Sequence, residues 1–191
     1  MSIAFVVGNG VSRKPINVGL LPRYGMVYGC NALYRDMTPT VLVATDAPIS
    51  KRIQEEGYAL HNRFHTRNPI SGLGAKPLSS TYRNFCSGAN AFALACMEGH
   101  NTIYIVGFDF GSVTDKFNNM YAETEFYKTN NCSATSGSQW IKQFATIAKD
   151  FPNTKVVRVV SETSVLYPEF DELYNVSTLP ILNFVNGLNT R

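Results

Sequence analysis

Ile3-Ala4-Phe5-Val6-Val7-Gly8-Asn9-Gly10-Val11-Ser12 is the stretch on which the fold turns. Five apolar residues, three of them β-branched, end abruptly at two glycines. An uninterrupted apolar run of that length suits a strand buried on both faces, as in a parallel sheet with helices above and below. The glycines then make a tight turn at the strand's carboxyl end, where open α/β sheets bind their ligands. Glycine lets a backbone approach a ligand closely, and unpaired N–H groups in such a turn can hold phosphate oxygens. The turn at residues 8–12 is therefore expected to face a phosphate. It lacks the third glycine of the dinucleotide fingerprint.

Outward from that turn, short apolar runs alternate with helical stretches. Strands are expected at 26–29, 40–44, 58–61, 102–106 and 155–160, and helices at 48–56, 88–99 and 138–150. This alternation predicts an α/β fold: a Rossmann-like, mostly parallel sheet with helices on both faces. The 191 residues suit a single domain, with a core at 1–160 and a C-terminal extension at 161–191. Two irregular stretches are long enough to serve as lids. One is 66–84, with Pro69, Gly72, Gly74 and Pro77; the other is the polar run 112–135, with some helical character at 119–127.

Composition narrows the function. Hydrophobic residues are 45% and charged residues 16%, which excludes a disordered chain. A net charge of +3 excludes a dedicated nucleic-acid neutraliser while allowing local anion binding. No apolar run approaches a bilayer span, and the start lacks a signal peptide's basic region and cleavage site, so a cytoplasmic protein is expected. Cys30, Cys86, Cys96 and Cys132 form no CxxC pair and have no histidine at zinc-ligand spacing; reduced thiols and no metal site are expected.

Further polar residues fall at the same rim. Asn31 follows the second strand and Asp46 the third, level with Asn9. Asn pairs a donor with an acceptor, suited to a base or a ribose hydroxyl, and Asp accepts hydroxyl hydrogens or ligates a metal. Ser87 and Gly88 open the Ala-rich helix, with Ser87 expected as its N-cap, and a helix N-terminus favours anions. Asp109 sits in the turn Gly107-Phe108-Asp109-Phe110 after strand 102–106. Arg63 and Arg67, interleaved with His61 and His65, read as a solvated edge or as an anion-binding side of the cleft.

Gly8-Asn9-Gly10-Val11-Ser12, Cys30-Asn31-Ala32-Leu33-Tyr34, Ser87-Gly88 and Ile103-Tyr104-Ile105-Val106-Gly107-Phe108-Asp109-Phe110 occur in an order that resembles bacterial sialyltransferases of glycosyltransferase family 42. The wider group includes the 6-hydroxymethylpterin diphosphokinase-like proteins. The resemblance covers roughly residues 1–150. It implies a GT-A-type Rossmann-like domain that transfers sugar from a CMP-type donor with no cofactor required. It would place Gly8, Asn9, Gly10 and Ser12 at the nucleotide phosphate and sugar, Asn31 at the ribose or base, and Ser87 and Gly88 at the cytidine moiety. Asp46 stands where the family has an Asn. Tyr121 and Tyr127 would steady the leaving phosphate. The family's general-base His has no counterpart, since His61, His65 and His100 all precede the second lid; Asp109, Glu123 and Glu125 are the candidates. The alternatives are a diphosphotransferase using ATP, with Mg²⁺ on Asp46 and Asp109, and a non-catalytic nucleotide binder. The partner expected throughout is a nucleotide or nucleotide sugar, with association into a homo-oligomer left open.

Overall fold

The computed structural model describes residues 2–189. Eight strands form one sheet: β1 (Ile3–Val7), β2 (Met26–Cys30), β3 (Val41–Ala44), β4 (Phe64–Thr66), β5 (Lys76–Pro77), β6 (Thr102–Val106), β7 (Lys155–Val160) and β8 (Val176–Pro180). Their order is β5-β4-β3-β2-β1-β6-β7-β8, and every neighbouring pair is parallel. The chain builds outward from β1 to β5, then crosses back to lay β6 on the other side of β1. That reversal is the topological switch point, the place where open α/β sheets bind their ligands. Val7 pairs with both Gly29 and Val106, so the turns after β1, β2 and β6 emerge side by side.

Strand periodicity sends alternate side chains of β1 to opposite faces. Ala4 and Val6 join Tyr28, Val43, Ile103 and Ile105 under α3 (Ser87–Met97) and α4 (Ser138–Asp150). The alanines of α3 let it lie close to the sheet, with Phe92 stacked on Phe144 of α4 at 5.4 Å. On the other face Phe5, Val7, Val27 and Val159 pack against Val18, Leu21 and Phe184. Leu42, Ala44 and Phe64 pack there beneath α1 (Ala47–Glu55) and α2 (Tyr58–His61). The expected Rossmann-like α/β domain is thus present, with a sheet that is parallel throughout.

Three expectations change. Residues 58–61 form the helical turn α2: Gly57, at φ 74°, reverses the chain, and Asn62 N–H closes the turn on the Tyr58 carbonyl at 3.1 Å. The strand comes later, where Phe64 registers with Leu42. Stretch 66–84 carries β5 at the sheet edge. Beyond residue 160 the chain supplies α5 (Pro168–Asp171), β8 and α6 (Ile181–Asn189), and it buries Phe170 and Phe184 in the two cores. Among the described residues no helix is long and apolar enough to cross a membrane.

Candidate functional site

A cavity of about 250 Å³ opens at the carboxyl ends of β1, β2, β3 and β6, at the switch point. It brings together Asn9, Gly10, Asn31, Asp46, Ser87, Gly88 and Asp109. Gly8, Ser12, Tyr121 and Tyr127 are not among the described residues that line it.

The glycine turn does different work from that expected. Gly8 N–H donates to the Val106 carbonyl and Gly10 N–H to the Gly107 carbonyl, both at 2.8 Å. Val11 N–H donates to Asn118 Oδ1 at 2.9 Å, and Ser12 N–H to Asp109 Oδ2 at 3.1 Å. These four donors are engaged within the protein, so the turn splices β1 to the β6 turn and these N–H groups are not free to hold a phosphate. Its glycines are there for space. A Cβ on Gly8 would lie 2.5 Å from the Gly107 carbonyl oxygen, and one on Gly10 would lie 2.5 Å from Asp109 Oδ2. Gly88 likewise leaves room for the Phe108 ring.

Asn31, Thr45 and Ser87 form one network. Ser87 Oγ donates to Asn31 Oδ1 at 2.8 Å and accepts from Thr45 N–H at 2.9 Å. This ties the ends of β2 and β3 to the start of α3, and it commits the Ser87 hydroxyl and the Asn31 carbonyl oxygen. Asn31 holds φ 50°, a left-handed conformation that Asn tolerates better than most residues and that tends to mark functional turns. Ser87 is the first residue of α3, not its cap; Cys86 caps, its Sγ accepting from Ala89 N–H at 3.4 Å. Asp46 precedes α1 without a capping bond and stands exposed at the cavity rim.

Asn9 is buried and borders the cavity. Its Nδ2 donates to the Cys30 carbonyl at 3.4 Å, while its Oδ1 is buried with no partner in the protein. The carbonyl fixes which way the amide faces, since only the nitrogen can donate to it.

Asp109 is buried as the clasp of the β6 turn. Its Oδ2 accepts from Ser12 N–H and its Oδ1 from the Ser164 hydroxyl at 2.9 Å. Behind the turn lies Arg158 of β7, fully buried. It forks onto both oxygens of Asp171, at 2.8 and 2.7 Å. Its other terminal nitrogen donates to the Phe108 and Val165 carbonyls at 3.1 and 2.8 Å, and the guanidinium lies 4.5 Å over the Phe110 ring.

The two tyrosines face elsewhere. Tyr121 is buried against the α1 side of the sheet, donating to Asp36 Oδ2 at 2.7 Å and accepting from Arg13 Nη2 at 2.8 Å. Tyr127 packs 5.6 Å from it and accepts from Ala32 N–H at 3.3 Å. Burial pushes both phenols well above the usual tyrosine range. The Arg63 and Arg67 side chains are also committed: Arg63 pairs with Glu98 at 2.5 Å, and Arg67 donates to the carbonyls of Arg83, Asn84 and Phe85. His65, on β4, is buried rather than solvated, and His61 is exposed on α2.

Sequence reading missed one wall of the cavity. Phe108, Phe110, Phe117, Trp140 and Phe144 make it aromatic, with Asn118, Asn119 and Thr135 beside them. Phe117 through Thr135 come from the polar stretch expected as a lid. An antiparallel bridge from Lys116 to Ser133 closes that stretch, and Met120 N–H pins it to the Asn9 carbonyl at 2.7 Å. The density of Asn and aromatic residues between 108 and 119 was the available signal. Two thiols also line the cavity. Burial pushes Cys30 up to about 12 and Cys86 up to about 11, so both remain protonated near neutrality. Among the described residues no group of three or more His, Cys, Asp or Glu side chains could hold a metal ion. Compared with protein-family models, curated proteins and solved structures, the chain gives no significant match.

Proposed function

We propose that this cleft binds a nucleotide and that the protein is a nucleotide-sugar-dependent glycosyltransferase of sialyltransferase-like type, taking a CMP-type donor. One observation carries the binding half: Asn9, Asn31 and Asp46, from three strand ends, converge with an aromatic wall on a single cavity at the sheet's switch point. Flat aromatic faces suit a base, and amide and carboxylate groups suit its edge and the ribose hydroxyls. The transfer half rests on the order of the sequence motifs. The diphosphotransferase alternative has less support, because Asp109, one of its two metal ligands, already accepts hydrogen bonds on both oxygens. A thermal-shift series with CMP, CDP, UDP, GDP and ATP, each with and without Mg²⁺, tests the reading. CMP should stabilise the protein without metal. Stabilisation by ATP and Mg²⁺ alone would replace this reading with phosphoryl transfer.

A further inference from the structure

The charged side chains that line the cavity are acidic. Asp46 and Asp109 line it, and among the described residues no Lys, Arg or His does. Two guanidiniums act electrostatically on the cavity cysteines, Arg13 on Cys30 and Arg67 on Cys86. Both are committed elsewhere: Arg13 to Asp36 and Tyr121, Arg67 to three backbone carbonyls. The N–H groups of residues 8, 10, 11 and 12 are engaged as well. Two acceptors stand open there. Asn9 Oδ1 is buried without a partner, and the Asp46 carboxylate has no capping bond. An unpartnered buried acceptor calls for a ligand that donates. At about 250 Å³ the cavity lies just below the roughly 300 to 1,000 Å³ of pockets that enclose drug-sized ligands.

Resting on the nucleotide reading above, we propose that the cleft recognises the nucleoside half of its ligand alone. A donor-bearing base lies against the aromatic wall near Asn9, the ribose hydroxyls face Asp46, and no cationic side chain of the cavity holds the phosphate. Most nucleotide sites gain affinity from their phosphates; this one gains it from base and ribose.

Calorimetric titration of the intact protein with cytidine, CMP and CTP tests this. A phosphate held by a cation or a charge-assisted N–H gains about tenfold or more in affinity. Here cytidine and CMP should bind within about threefold of each other, and CTP no tighter than CMP, because Asp46 repels the added charge. In Asp46→Asn the ratio of CTP to cytidine affinity should rise. CMP or CTP binding more than about threefold tighter than cytidine would overturn the inference while leaving nucleotide binding intact. An unchanged ratio in Asp46→Asn would remove Asp46 from the ribose, beside which the phosphates leave, and overturn it likewise. Failure of all three compounds to bind the folded protein would overturn the nucleotide reading itself.

Discussion

Replacing Arg158 with methionine tests what holds the β6 turn in place. Arg158 is fully buried and its partner Asp171 nearly so, at 0% and 9% side-chain exposure. The substitution leaves the Asp171 carboxylate buried with only the Tyr167 N–H, at 2.7 Å, and strips the Phe108 and Val165 carbonyls of their donor. Removing one partner of a buried ion pair costs about 3–5 kcal/mol. For a domain of this size each kcal/mol lowers the melting temperature by about 2–4 °C, so a fall on the order of 10 °C is expected. Thermal melts followed by circular dichroism measure it. Arg158→Lys keeps the charge but loses the planar fork, and should fall between wild type and methionine. Arg158→Met combined with Asp171→Leu should recover part of the loss, since no buried charge is left alone. A loss below about 1 kcal/mol in the single variant, or a double variant less stable than the single, would refute this reasoning.

Other outcomes follow from the same contacts. Gly10→Ala should destabilise the fold by about 1–3 kcal/mol through overpacking against Asp109 and the Gly107 carbonyl, read from urea unfolding; unchanged stability would return the glycine to a ligand role. Tyr121→Phe should cost about 1 kcal/mol of stability and leave nucleotide affinity unaltered in calorimetry. A loss of affinity without loss of stability would put the hydroxyl back at the ligand. Burial holds the His65 and His100 imidazoles below the ordinary histidine range. The unfolded chain therefore takes up protons first as pH falls, and stability present above about pH 6.5 declines below it. Melts across this range should show that slope, and His65→Asn with His100→Asn should flatten it.

Much of the fold was legible because its central elements are strongly patterned. β1 and β6 are apolar runs of high β-propensity, β7 is two Val-Val pairs around Arg158, and α4 shows clear helical spacing. β4 and β5 were not, because three and two residues are too few to show a period. β8 escaped notice because its edge position leaves Ser177 and Thr178 exposed. At the site, Asn9, Asn31, Asp46 and Ser87 could be found because chain polarity places every parallel strand's end on one rim. What sequence could not show is which donors are already engaged. Gly8 and Gly10 look the same whether they admit a phosphate or a neighbouring turn, and only the closeness of Gly107 decides between these. Nor does the spacing of Tyr121 and Tyr127 tell which side of the glycine turn they occupy; buried Arg13, paired with the exposed Asp36, draws Tyr121 to the far side.

Trp140 is the single tryptophan of the chain, and it lines the cavity. Its indole N–H therefore gives one resolved reporter in a ¹⁵N-labelled sample titrated with CMP. If the nucleotide occupies the switch-point cleft, that indole signal and the amides of Asn9, Asn31, Gly88 and Asn118 shift together and saturate at one concentration. Saturable shifts confined to other parts of the molecule, or no shift at millimolar CMP, would contradict nucleotide binding in this cleft.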